Sequence, residues 1–217
     1  MMEREANCTL LIAERADKTG QEFDINKMLE SKKMEHKCDA LKRLLVMAVN
    51  GERAQANNHL MRVIQHCVTC SDHYVKKLLL LYWEVVDTLD EKGEAKPELI
   101  LIVNAVRNDI QHPNEYVRGR TMRLLCKLDR YELIEPMVEP ILQNLDNRHP
   151  FVRRNAVMCL YAIVSNFGLD KIPTAIDDID RVWTTETDLN TKRNAFVFLQ
   201  HCAPELAFQH LLYGFVF

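Results

Sequence analysis

The sequence predicts an all-α chain built from tandem helical hairpins, and three observations carry that prediction. No segment alternates apolar and polar residues over the length of a strand. The 217 residues are 47% hydrophobic but include only six glycines. That is enough apolar material for a continuous core and too little glycine for a turn-rich β protein. Third, one apolar pattern recurs along the chain. Val152 is followed at +4, +7, +8 and +11 by Ala156, Cys159, Leu160 and Ile163, the spacing of one helix face.

The same pattern starts at Val75 (Leu79, Tyr82, Trp83, Val86), at Val117 (Thr121, Leu124, Leu125, Leu128) and at Thr191 (Ala195, Phe198, Leu199, Cys202). A fainter copy starts at Lys37, with Leu41, Leu44, Leu45 and Ala48. Successive starts are 38, 42, 35 and 39 residues apart. A period near 40 with a helix in every unit is the mark of a HEAT/armadillo-like α-solenoid, here of about five helical hairpins.

Each hairpin needs a second helix, and one lies upstream of each later start. Asn58 to Cys67 aligns Leu60, Val63, Ile64 and Cys67, and Pro97 to Ile110 aligns Leu99, Ile102, Val103, Val106 and Ile110. Leu133 to Leu145 contains Pro136 and Pro140, so its helix is expected to begin at one of them, because proline suits a first turn and breaks an interior. Ile176 to Trp183 follows Pro173. Asn50-Gly51, Lys92-Gly93, His112-Pro113 and His149-Pro150 mark the joints. Residues 1–20 are polar and weakly patterned, which predicts a loosely held arm, with a single α-solenoid over 21–217.

No apolar run approaches the ~18 residues of a membrane span, and the N-terminus lacks the pattern of a signal peptide. Seven cysteines, an odd number placed mostly on expected core faces, suit a reducing compartment. Net charge is −3, which provides no general attraction to nucleic acid. Cys67-Val-Thr-Cys70 has the spacing of half a zinc site, but no second pair follows and no βαβ context supports a redox motif. No nucleophile elbow, phosphate loop or paired carboxylates occur. An enzyme is not expected, and neither is a metal or cofactor. The acids Asp177, Asp178 and Asp180 are read as favouring a helix N-terminus.

Basic residues follow the later starts: Lys76-Lys77, Arg118, Arg153-Arg154 and Lys192-Arg193. One role is a ladder that locks repeat to repeat through nearby acids, with Asp72, Glu115 and Asp188 just upstream of their starts. The other is a basic ridge of Lys76, Lys77, Arg154 and Lys192, able to hold phosphates, acidic peptides or anionic headgroups. Arg118 and Arg153 are expected in the ladder. Arg154 is expected to keep spare charge, since His149 and Pro150 precede it.

VKKLLLLYWEVV, QHPNEYVRGRTMRLLCKL, EPMVEPIL, RHPFVRRNAVMCLYAI and KRNAF resemble, in order, the N-terminal trunk of the coatomer β-subunit family (beta-COP), from about Asn7 to about Phe208. The resemblance implies a non-enzymatic scaffold of the vesicle coat in Golgi-to-ER and intra-Golgi transport. It implies a cytoplasmic protein, peripheral on Golgi membrane and coated vesicles. Its implied partners are other coatomer subunits, the δ subunit first, and a GTP-bound ARF-type small GTPase. Clathrin-adaptor large chains share a looser form of the pattern, and a truncated, non-functional fragment is the other alternative. The apolar end HLLYGFVF suggests an uncapped solenoid. Within PELILIVNAVRNDI, Ile100 lies outside the core stripe with Asn104 and Arg107 at helical spacing, an apolar anchor with a polar rim. These three are the candidate partner site.

Overall fold

A computed structural model describes residues 24–87, 96–128 and 130–214. The expected arm over 1–20 and the last three residues of the apolar end lie outside the described residues. The chain divides into two compact units, between Ile102 and Val103.

In the first unit, α1 (Ile25–Glu30), α2 (Met34–Val49), α3 (Arg53–Asn57), α4 (Leu60–Cys67) and α5 (His73–Val85) follow one another. A short 3-10 turn over Pro97–Leu99 opens α6 (Ile100–Ile110), the helix in which the division falls. Helix α1 packs on α2 and α4, and α2 packs on α5. The expected stripes are the core: Leu41, Leu44, Leu45 and Ala48 of α2 and Leu79, Tyr82 and Trp83 of α5 are all buried, as is Val86 just beyond it. Tyr82 is fully buried, and its hydroxyl donates to the carbonyl of Ala56 at 3.0 Å. That bond satisfies the one polar atom that the ring carries into the interior. Asp24 and Asp72 cap α1 and α5 by accepting from the second and third backbone N–H groups, which otherwise lack partners.

The second unit continues through α7 (Glu115–Leu125), α8 (Tyr131–Ile134), α9 (Val138–Gln143), α10 (Pro150–Phe167), α11 (Ala175–Thr185), α12 (Leu189–Cys202) and α13 (Pro204–Gly214). Helix α7 packs on α10 and α10 on α12, forming one layer; α9 lies against α10, and α11 and α13 lie against α12. Val152, Ala156, Cys159, Leu160 and Ile163 are each at most 1% exposed. Gly119 on α7 lets α10 approach closely: a Cβ there would stand 2.4 Å from Cε1 of Phe151. Gly168 ends α10 at φ +94°, a left-handed conformation that favours glycine.

The segment around Pro136 and Pro140 departs from expectation. Helix α8 precedes both prolines, a 3-10 turn over Glu135–Met137 carries Pro136, and Pro140 sits in the first turn of α9. The chain accommodates the two missing N–H donors by breaking one expected helix into short pieces.

Candidate partner-binding site and the arginine ladder

Arg118 and Arg153 occupy the same place in successive repeats and do related work. Arg153 donates from Nε to Glu186 Oε2 at 2.6 Å and from one Nη to Glu186 Oε1 at 2.7 Å. Its other Nη donates to the carbonyl of Asn147 at 2.7 Å. The Glu186 carboxylate is 3% exposed and also accepts from the N–H groups of Thr187 and Asp188. The Arg153 hydrogen bonds hold the Glu186 carboxyl below its usual range, and the same bonds raise the guanidinium further. The ladder expected of Arg153 is present, and its acid is Glu186.

Arg118 corrects the expectation that an acid would balance it. It donates to the carbonyls of His112 and Gln111, each at 2.9 Å, and to Oδ1 of Asn144 at 3.0 Å. Among the described residues it forms no ion pair. Asn144, 3% exposed, in turn donates to the carbonyls of Pro140 and Ile110. The upstream acids are engaged elsewhere. Asp72 caps α5, Glu115 stands 3.8 Å from His149, and Asp188 accepts from the N–H and hydroxyl of Thr191. The hydrogen bonds from Thr191 keep the Asp188 carboxyl below its usual range. Helix starts use short acids as caps, so the longer Glu186, in the turn before α12, is left to reach back to Arg153. Sequence reading missed both Glu186 and Asn144. The signal available was a polar residue in the inter-helix turn roughly 30 residues after each arginine.

The remaining basic positions differ in exposure. Lys76 is 8% exposed and Lys77 is exposed. Arg154 and Lys192 are half-buried, the first over the ring of Phe151 at 5.1 Å and the second over the ring of Trp183 at 5.1 Å. On α6, Ile102, Val106 and Ile110 are buried, while Asn104 and Arg107 are exposed. The side chain of Ile100 lies outside the described residues. Leu101, which the sequence reading passed over, is 55% exposed and lies one turn before Asn104, so it is a second apolar candidate on the outward face.

Cys67 is fully buried, and burial pushes its thiol up to about 12. Cys70 donates to the carbonyl of His66, and Lys37, itself buried, donates to that carbonyl and to Cys70 Sγ. These contacts tie the end of α4 to α2. Near the start of α2 an open hollow borders Cys38, Asp39, Lys42 and Tyr74, with the Lys42 ammonium 5.4 Å above the Tyr74 ring.

Comparison with known proteins gives this arrangement a family context. The adaptin N-terminal region model matches residues 17–217. The coatomer subunit beta of Toxoplasma gondii is 46% identical over 211 residues, covering 97% of this chain and 19% of the relative. The coatomer subunit beta of Dictyostelium discoideum is 41% identical, over 95% of this chain and 22% of its own length. That of Rattus norvegicus is 40% identical, over 88% and 20%. The chain therefore spans about a fifth of the curated relatives it matches. A designed armadillo repeat protein solved in complex with the peptide (KR)4 superposes with TM-score 0.60 at 15% identity, over 81% of this chain and 79% of that one. Computationally designed armadillo repeat proteins for modular peptide recognition superpose with TM-score 0.57 at 16% identity, over 81% and 79%. At such identities the likeness establishes the HEAT/armadillo-like helical-repeat fold alone.

Proposed function

The chain belongs to the adaptin N-terminal family, and from that premise we propose that it is a non-enzymatic scaffold segment of the coatomer vesicle coat, acting in Golgi-to-ER and intra-Golgi transport. The observation that carries the proposal is sequence identity of 40–46% to coatomer beta subunits spread over nearly the whole chain. The adaptin family match would equally admit a clathrin-adaptor large chain; the level and extent of identity to coatomer beta favour the coatomer coat. The proposed partners are other coatomer subunits, the δ subunit first, and a GTP-bound ARF-type small GTPase. The proposed place is the cytoplasm and the Golgi surface, with residues 21–217 serving as part of one trunk. Among the described residues no helix is long and apolar enough to cross a membrane, and attachment through partners fits that.

The test is affinity purification of the tagged chain from cells, followed by immunoblotting for coatomer subunits and for clathrin-adaptor subunits. Recovery of the δ subunit without adaptor subunits is the expected result, and the reverse would overturn the assignment. For the GTPase, binding of the GTP-locked form should exceed that of the GDP-locked form. Ile100→Asp and Arg107→Ala should weaken it, provided circular dichroism shows the variants folded. Unchanged binding by both would remove α6 from the site.

A further inference from the structure

The second unit separates its charge by layer. Helices α10 and α12 contain no aspartate or glutamate, and α7 holds only Glu115, at its first position. The same three helices carry Arg118, Arg120, Arg123, Arg153, Arg154, Lys192 and Arg193. The other layer is acidic. Along α8, α9, α11 and the turns that flank them stand Glu132, Glu135, Glu139, Asp146, Asp177, Asp178 and Asp180, with Arg181 paired to Asp146 and Asp178.

Arg118 and Arg153 are committed to the ladder. The other five cations form no ion pair among the described residues. Asp188 lies close enough to feel Arg154, but forms no ion pair with it, and its Oδ2 accepts twice from Thr191. Arg120, Arg123 and Arg193 are exposed. Arg154 is oriented by a stack: its guanidinium lies over Phe151, whose ring is 5.5 Å from that of Tyr116, itself 60% exposed. Gly119 provides the room for that ring. At the equivalent register of the three helices stand Arg123, Met158 and Val197, so apolar groups interleave with the charges.

We propose that the face formed by α7, α10 and α12 binds an extended, acidic protein segment with a carboxylate at about every third residue and apolar side chains between. Lys192 lies over the Trp183 ring of α11, and the four cations left to this face, Arg120, Arg123, Arg154 and Arg193, are all arginines, whose planar forks match carboxylates with two parallel hydrogen bonds. Packed helices stand about 8–10 Å apart, so cations on successive helices are separated by about three residues of extended chain. The ring stack supplies an apolar surface beside an oriented guanidinium. An anionic membrane attracts cations without regard to their spacing, whereas a step of one cation-bearing helix after another matches an extended chain.

The experiment titrates the 217-residue chain into a fluorescein-labelled peptide of four Glu-Leu-Ser repeats, with the Gln-Leu-Ser peptide as control, and reads anisotropy at low salt. The glutamate peptide should bind and the glutamine peptide should not. Arg120→Glu/Arg193→Glu, at two exposed positions, should weaken binding by about tenfold. Lys32→Glu/Lys33→Glu, the same charge change in the first unit, should weaken it less than about twofold. Circular dichroism verifies each variant, and Arg120→Gln/Arg193→Gln replaces the reversal if that variant does not fold. Absence of binding to the glutamate peptide overturns the proposal, as does equal weakening by the two charge reversals. So does a chain that binds phosphatidylserine vesicles through this face and ignores the peptide.

Discussion

Replacing Arg153 with alanine removes both hydrogen bonds to Glu186 and the one to the Asn147 carbonyl. It leaves a carboxylate that is 3% exposed, with two backbone N–H groups as its remaining donors. Stripping one partner from a buried ion pair costs about 3–5 kcal/mol. The two N–H donors offset part of that, so the expected loss is about 2–4 kcal/mol. For a chain of this size that corresponds to a fall in Tm of about 5–15 °C. Glu186→Gln should cost less, because Arg153 is 16% exposed and can recruit water. Arg154→Ala should change stability by under about 1 kcal/mol. The assay is urea unfolding of wild type, both single variants and Arg153→Ala/Glu186→Gln, read as a double-mutant cycle. The pair also predicts a pH dependence. The Glu186 carboxyl titrates below its ordinary value of 4.5 in the folded chain. Its contribution is therefore complete above 4.5, declines as pH falls below it and vanishes below the folded pKa. Glu186→Gln should flatten that part of the profile. A coupling energy near zero, or an Arg153→Ala variant as stable as wild type, would refute the ladder.

Three further outcomes follow from the same packing. Asn144→Ala strips Arg118 and the carbonyls of Pro140 and Ile110 of a partner, and should cost about 2–3 kcal/mol in urea unfolding; a loss under about 0.5 kcal/mol would mean water replaces the amide. Tyr82→Phe removes the hydroxyl's bond to the Ala56 carbonyl, which keeps the His59 N–H as a donor, and should cost about 1 kcal/mol by the same measurement. In native protein at pH 8, iodoacetamide followed by mass spectrometry should leave Cys67 and Cys159 unmodified, since both are fully buried with raised thiols. Cys126, which a hydrogen bond with Cys159 pulls downward, should react before either, and all seven cysteines should react in denaturant.

The helical-repeat class was legible because one helix face per repeat must leave water, and burial writes itself into sequence at +4, +7, +8 and +11. Every such position from Val152 to Ile163 is in the core. Even the faint copy starting at Lys37 marked a buried face, including the lysine itself. The partners of Arg118 and Arg153 were not legible. Asp188, three residues before the repeat start at Thr191, stood out as a ladder acid, but its short side chain caps α12, and the acid that reaches Arg153 is Glu186, which no periodic pattern marked. Arg118 ends on an asparagine and two carbonyls for want of a carboxylate at that distance. The α6 site had the same limit, since Leu101 declared itself only through its exposure. Periodicity thus determined which residues are buried and how often the unit repeats, because helix geometry is local. The pairing of arginines with Glu186 and Asn144, and the gathering of cations on α7, α10 and α12, depended on which helices stack, because polar groups separated by 26–35 residues meet only after the repeats have packed.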